Sequence, residues 1–306
     1  MSKVIVARLA NGTSPSALNI ELYIALLETA FIALSGRKNV NEAVRQYLPH
    51  GVIGMKTNCL ARDLNSTPPA LARALGNLLV KSGIEDNNII IWDRTNHELQ
   101  SAGFELNASS FGRRCLGTDS QGVGYSYDFY RYGKVNSLVS RILTNILDHN
   151  INLPILKDHS IAGLSGGLKN MYGAINNPNK YHADNCNPFA AHVSCLDPIK
   201  GKNRLSVIDA DRVQFHGGPG FDSRYLAAFG GVIISDDPVA ADRIGLEIIE
   251  HFRRNNKLPS LADSGRPVRY LETAASLGLG TAELKNIEVE TYLVNGRGEA
   301  KKGALF

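Results

Sequence analysis

One repeated unit constrains this chain more than any other feature. A short apolar, largely β-branched run gives way, again and again, to a polar cluster. Val52-Ile53-Gly54-Met55 leads into Lys56-Thr57-Asn58, and Ile89-Ile90-Ile91-Trp92 into Asp93-Arg94-Thr95-Asn96-His97. Leu153-Pro154-Ile155-Leu156 leads into Lys157-Asp158-His159, Leu205-Ser206-Val207-Ile208 into Asp209-Ala210-Asp211, and Gly231-Val232-Ile233-Ile234 into Ser235-Asp236-Asp237. Apolar runs of this kind belong to strands covered on both faces. Segments with helical spacing separate them. Pro68-Pro69 opens one that runs through Val80 and stops at Ser82-Gly83, and Pro238 opens another through Arg254. Residues 135–147 are also apolar at helical spacing. Within 17–34, Ile20, Ile24, Leu27, Phe31 and Leu34 form the stripe of an amphipathic helix. The expected fold is α/β: a mostly parallel, Rossmann-like layered sheet with helices on both faces.

A C-terminal helix-strand extension follows. A helix is expected over 270–277, ended by Gly278-Leu279-Gly280, then an alternating edge strand over 287–294 and a loose end over 296–306. Residues 107–133, rich in Gly, Ser and Tyr, show no dominant period and read as an insertion or a flap over a site. No repeat or Pro/Ser-rich linker divides the chain. It reads as a single unit over 1–306 with its core at about 50–294, the alternative being two lobes, about 1–150 and 151–306.

Composition narrows the classes of function. With 306 residues, 43% hydrophobic and 20% charged, the chain can bury a core and is neither disordered nor a coiled coil. A net charge of +4 is too small and scattered to argue for nucleic acid. The most apolar stretch is interrupted by Asn19, Glu21 and Glu28, short of the roughly 20 apolar residues of a bilayer span. Val4-Ile5-Val6 is too short for the apolar core of a signal peptide, so export would need a leader on a longer precursor. The four cysteines, Cys59, Cys115, Cys186 and Cys195, contain no CxxC pair, which argues against an iron–sulfur cluster within this chain.

Ligands of open α/β sheets bind beyond the carboxyl ends of the strands. If the runs are parallel, Lys56, Asn58, Asp93, His97, Lys157, His159, Asp209, Asp211, Asp236 and Asp237 gather on one edge. The densest segment is 156–173, where a strand ends at Leu156, a Gly-rich turn follows, and a helix begins near Gly166. Backbone N–H groups from Gly163 to Lys169 form an expected carboxylate, phosphate or sulfate site. A P-loop is excluded, since Gly166-Gly167-Leu168-Lys169-Asn170 lacks both the Gly-Lys step and the hydroxyl. No GxGxxG occurs. Gly163-Leu164-Ser165-Gly166-Gly167 matches the GxSxG elbow, so a serine hydrolase using Ser165 with Asp209 and His216 is a minor alternative. Tyr181-His182-Ala183-Asp184-Asn185-Cys186 and, further on, His192 carry metal-binding side-chain types. His192 is expected on a short helix after Pro188.

An ordered set of motifs resembles the DUF362 family. It comprises Met55-Lys56-Thr57-Asn58, Asp93, Leu153-Pro154-Ile155-Leu156-Lys157-Asp158-His159, Gly167-Leu168-Lys169-Asn170-Met171-Tyr172-Gly173, His182, Ile208-Asp209-Ala210, Gly218-Pro219 and the run from Ser235 to Asp242. Residues 270–280 also resemble the family. It has no defined function, and many relatives occur in anaerobes, are exported, or are fused to a ferredoxin-like domain. The resemblance thus implies a separate ferredoxin-like redox partner for a chain without its own cluster. A remoter similarity is to the N-terminal domain of nickel-pincer lactate racemases. His97, His159, Lys169 and His182 occur in the order of that family's site, although His182 comes a few residues early. In that family the lysine anchors the cofactor and a histidine ligates nickel.

The site expectations follow. His159, Lys169 and His97 carry the chemistry. Lys56, Asn58, Gly163, Gly166, Gly167, Lys169, Asn170 and Asp209 hold a bound molecule or cofactor. His182 and Asp184 ligate a transition metal, nickel or iron, if one is used. The leading reading is an enzyme acting on a small anionic metabolite by His/Lys acid–base chemistry. The alternative is a non-catalytic metal- or cofactor-binding protein serving a redox system. Compartment and oligomeric state are left open, and a homo-oligomer is compatible with the sequence.

Overall fold

Each of the five predicted runs contributes to a strand, although Val52, Leu153 and Pro154 fall outside, and side-chain alternation assigns the strand residues to faces. The structure, a computed structural model, describes residues 1–10 and 18–306. Ala17, where the first helical stretch was expected to begin, lies outside them. The strands are β1 (Ser2–Leu9), β2 (Ile53–Lys56), β3 (Ile89–Asp93), β4 (Arg114–Gly117), β5 (Tyr130–Tyr132), β6 (Val135–Ser137), β7 (His149–Asn152), β8 (Ile155–His159), β9 (Gly163–Ser165), β10 (Asn203–Gln214), β11 (Leu226–Ser235), β12 (Ile287–Val294) and β13 (Ala300–Gly303). The helices are α1 (Ile20–Ser35), α2 (Val40–Tyr47), α3 (Pro69–Lys81), α4 (Asn96–Ser101), α5 (Gly167–Asn170), α6 (Phe189–Ser194), α7 (Asp197–Lys202), α8 (Pro238–Asn255) and α9 (Tyr270–Ser276).

The main sheet has the order β13-β12-β1-β11-β10-β7-β2-β3-β4, with β8 paired to β10 and β9 to β8. It is mostly parallel, as expected, with helices on both faces. Val4, Val6, Ile90, Trp92 and Ile233 join one core, with Ile244 and Ile248 of α8 and Tyr270 of α9. Ile5, Ala7, Ile89, Ile91 and Ile234 join the other, with Leu26 and Phe31 of α1 and Leu71 and Leu75 of α3. Period two across a doubly covered sheet produces both cores from the same strands. Among the described residues, no helix is long and apolar enough to cross a membrane.

Several expectations are corrected. β11 runs antiparallel to β10 and β1. Its polar ending, Asp236-Asp237, therefore lies on the opposite edge from the ends of β2, β3 and β8, where Asp237 caps α8 by accepting from Val239 N and Ala240 N. The helix expected over 135–147 is instead β6 followed by a single π-helical turn, Ile142–Ile146. Its backbone donors are drawn into tertiary pairing, Ser140 N to Ala174 O and Arg141 N to Gly124 O. Ser137 Oγ is committed to Asn176 and Asn177, the competition that makes serine a poor helix-interior residue. The buried stripe of α1 adds Tyr23, Leu26 and Ala30 to Leu27, Phe31 and Leu34, while Ile20 and Ile24 are only half buried. β12 is not the edge, because residues 300–303 of the supposedly loose end pair with it as β13. Residues 107–133 supply β4 at the far edge.

Gly54 sits in the middle of β2, where glycine ordinarily weakens a strand. A Cβ there would lie 2.2 Å from Leu147 Cδ1, 2.8 Å from Asn150 Oδ1 and 3.0 Å from Trp92 Nε1. Trp92 Nε1 donates to Asn150 Oδ1 at 2.9 Å, so the missing side chain makes room for a buried indole bond. Gly54→Ala should destabilise the protein by about 1–3 kcal/mol through overpacking, read by urea denaturation. An unchanged midpoint would contradict this packing.

Candidate functional site

The strands extend further into the polar clusters than the apolar runs indicate, and this builds the site. β8 does not stop at Leu156 but continues to His159 and folds back as β9, pairing Lys157 with Ser165 and His159 with Gly163. Lys157 and His159 share one side of β8, and both line a cavity of about 350 Å³. Asp158 faces the other way, accepting from Arg266 Nη1 at 2.7 Å and Gly218 N at 3.1 Å. β2 contributes Lys56, β3 Asp93, and the segments that follow them Asn58, Cys59 and Arg94.

After β9 the Gly-rich turn enters α5, and its backbone donors are already engaged. Gly167 N donates to Asp242 Oδ1 at 2.5 Å and Leu168 N to Asp242 Oδ2 at 3.0 Å. The expected external anion is thus replaced at this turn by a carboxylate of α8. A Cβ on Gly166 would stand 2.4 Å from Asp242 Oδ1, which accounts for glycine at that position. Gly163 adopts φ +77° and lies against Arg266 O. Gly163, Gly166 and Gly167 therefore shape the turn and lie outside the cavity lining.

The clasped turn aims Lys169 and Asn170 into the cavity. Lys169 Nζ lies 3.1 Å from His182 Nε2 and 3.8 Å from the centre of the Tyr172 ring. His182 Nδ1 is 3.1 Å from Pro178 O, so it carries the hydrogen and leaves the Nε2 lone pair toward Lys169. His159 has the opposite tautomer. Its Nδ1 accepts from Ile161 N and Ala162 N, both at 3.1 Å, which leaves Nε2–H as its donor. The two rings stack at 5.9 Å. Lys56 Nζ is ion-paired to Asp93 at 2.6 Å and bonded to Thr57 O at 2.7 Å, and Gly173 leaves space for this pair. Asn170 joins Lys56 O, Asn152 and Asn58. Lys157 Nζ donates to Asn65 O at 2.7 Å.

Burial sets the charge states. Desolvation, reinforced by Lys169, lowers His159 to about 3, and the same two causes lower His182. Both imidazoles are neutral at physiological pH. Desolvation also brings Lys157 and Lys169 down to about 8, and it raises the Cys59 thiol.

Of the residues expected from sequence, Lys56, Asn58, His159, Lys169, Asn170 and His182 meet in the cavity. His97 does not line it. Leu99 is the buried residue of α4, and a residue two positions away is about 200° round the helix, so His97 is exposed while Glu98 lines the cavity. Asp209 lies within β10 rather than after it, accepts from Tyr23 OH at 2.7 Å, and borders a different cavity. Asp184 is exposed and ion-paired with Arg269. The proposed metal ligands therefore do not converge. Among the described residues, no three His, Cys, Asp or Glu side chains are placed to share an ion. The donors present do not fit nickel or iron, because His182 Nε2 faces an ammonium and His159 Nδ1 is occupied by two N–H groups. Ser165 lines the cavity from within β9, but Asp209 is bonded to Tyr23 and His216 lies beside Arg253 and Tyr225, so no triad forms. Lys157 and Asp93, expected on this edge from the ends of their runs, also line the cavity, and Arg94, Glu98 and Tyr172 are additions.

The protein is an α/β protein with a cation-lined cavity at one edge of a mostly parallel sheet. It belongs to the DUF362 family, described as a domain of unknown function, whose family model matches residues 53–247. A search of curated proteins finds no match. Among solved structures, a protein from Thermotoga maritima determined by a structural genomics consortium is 12% identical, with a TM-score of 0.42. That match covers 72% of this chain and 57% of the other.

Asp242→Ala would leave two buried N–H groups without acceptors. The expected loss is about 2–4 kcal/mol of stability in chemical denaturation. Burial lifts this carboxyl from 3.8 to about 7 against the opposing effect of its two N–H bonds. The native state therefore holds a proton that the unfolded chain releases. This stabilising contribution is full below about pH 4 and fades as pH rises through 7, a slope that Asp242→Ala should reduce but not remove, since burial raises Asp209 to about 7 as well.

Proposed function

We propose that the cavity binds a small anionic organic molecule and moves a proton on it. One observation carries this reading: four cationic side chains, Lys56, Lys157, Lys169 and Arg94, line the cavity against two carboxylates, Asp93 and Glu98. Lys56 is matched by Asp93 and Arg94 by Glu98 at 3.8 Å, whereas among the described residues Lys157 is bonded only to a neutral carbonyl and Lys169 to a neutral imidazole. Water-poor surroundings strengthen the pull of such groups on an anion. A volume of about 350 Å³ suits a metabolite of a few carbons.

The acid–base roles follow from the tautomers. His182 Nε2 carries the basic lone pair, bonded at rest to Lys169 Nζ at 3.1 Å, and Lys169 is the neighbouring proton donor, so these two exchange a proton with the ligand. His159 offers Nε2–H to a ligand oxygen and stays neutral, which favours hydrogen-bond donation over proton removal. An anchor for negative charge comes from Lys157 and Arg94.

A thermal-shift panel of small mono- and dicarboxylates and phosphate esters tests the reading. A ligand at a hundred times its Kd adds about 2.7 kcal/mol of stability. Lys157→Met should weaken the best ligand at least tenfold, about 1.4 kcal/mol. Affinity should fall as pH rises from 7 to 9, because Lys157 and Lys169 lose their protons near 8. A panel in which no anion raises the melting temperature of the wild-type protein would overturn it.

A further inference from the structure

The three cavity lysines are not equivalent. Lys56 Nζ is bonded to Asp93 Oδ1 at 2.6 Å and Thr57 O at 2.7 Å, and Lys157 Nζ to Asn65 O at 2.7 Å. Among the described residues, Lys169 Nζ has no oxygen partner. Its neighbours are the Nε2 lone pair of His182 at 3.1 Å and the face of Tyr172 at 3.8 Å. Tyr172 OH is turned away, donating to Tyr181 O at 2.7 Å, so the ring presents only its face. Pro178 O holds the base in turn through His182 Nδ1–H. A nucleophile, a base within hydrogen-bond reach and a group that orients the base are the parts an activated amine requires.

We propose that Lys169 is a carbonyl-reactive amine that forms a Schiff base with a small 2-oxo acid or similar anionic aldehyde. The proposal deepens the reading that the cavity takes a small anion, and it rests on that reading for the charge of the substrate. His182 Nε2 first takes a proton from the Lys169 ammonium. The freed nitrogen lone pair attacks the carbonyl carbon, the N–C bond forms, and the carbonyl π pair moves to oxygen, which receives the proton from His182. The nitrogen of the resulting carbinolamine, still carrying two hydrogens and a positive charge, gives one proton to His182, which passes it to the hydroxyl; the hydroxyl leaves as water as the freed nitrogen pair closes the C=N bond. Amine and carbonyl become imine and water, and nothing is oxidised or reduced. The protonated imine withdraws electrons from the adjoining carbon, which makes a neighbouring C–H acidic. His182, deprotonated again, lies beside that position.

Two features support the assignment. Burial brings Lys169 to about 8, so an appreciable fraction is free amine near neutral pH. His159, neutral and with Nε2–H as its remaining donor, is a partner for the carbonyl oxygen while charge builds on it. Lys157 and Arg94 line the same cavity and would hold the carboxylate.

The experiment is reductive trapping. The full chain is incubated at pH 7.5 with glyoxylate, pyruvate or 2-oxoglutarate and sodium cyanoborohydride, then read by intact mass and peptide mapping. The expected result is one adduct per chain, of the compound's mass less one water plus two hydrogens, on Lys169. Lys169→Arg should abolish it, and His182→Gln should slow it at least tenfold. Adducts spread over surface lysines at equal rates, an adduct unaffected by Lys169→Arg, or no adduct with any of the three acids would each overturn the proposal. Melting temperatures separate the two readings. If the oxo acids stabilise the wild type without trapping, the anion site survives and the Schiff base fails. If Lys169 is trapped while no anion stabilises the protein, the Schiff base survives and the anion reading fails.

Discussion

The site depends on one buried carboxylate. Asp242, from a helix on one face of the sheet, accepts the first two free N–H groups of α5. Those donors would otherwise be orphaned, since a helix start leaves its first N–H groups without intrahelical partners. The clasp fixes where α5 begins, and that sets the direction of Lys169 and Asn170. Gly166 and Gly167 are the residues that let the carboxylate come so close. A turn that looks like an anion cradle in the sequence is therefore an internal joint, and Lys169, the residue after the clasped donors, is what reaches the cavity.

The second determinant is the alternation of β8. Lys157 and His159 enter the cavity, while Asp158 is spent on Arg266 and the loop at Gly218. Three successive polar residues thus divide between the cavity and the architecture. Neighbouring strands repeat the arrangement: Lys56 and Asp93 neutralise one another across β2 and β3 and keep a buried pair that would be costly if broken. Because that pair is closed and Arg94 is ion-paired with Glu98 at 3.8 Å, the uncompensated charge of the cavity falls to Lys157 and Lys169.

Much of the fold was legible, and the reason is local. Wholly apolar runs admit few alternatives to doubly covered strands, and the proline-opened helices α3 and α8 carry their own start signals. The direction of β11 was not legible, because a strand's residues do not encode whether it runs with or against its neighbour. The segment 135–147 misled because its serines bond to partners distant in sequence, Thr118 and Asn176 among them. For the site, spacing found Lys56, Asn58, His159, Lys169, Asn170 and His182. It failed for His97, where a one-residue difference in helical phase exchanges a histidine for Glu98. Asp209 failed differently, since β10 continues past its apolar run to Gln214, leaving the aspartate within the strand. Tautomers, which decide what each histidine can do, depend on backbone donors that no spacing reveals.

The position of β1 has a consequence for how the chain is made. Residues 2–9 are hydrogen-bonded in parallel to 287–294 on one side and antiparallel to β11 on the other. On the ribosome the first strand emerges hundreds of residues ahead of both partners, with two open edges and apolar side chains on each face. Loop closure over more than 200 residues must precede that half of the sheet, which makes a slow, non-local step of its assembly. During synthesis β1 is a template for any other exposed strand, and a second nascent copy of the same chain would offer one. β1 thus stays uncovered until both of its later strands have been made.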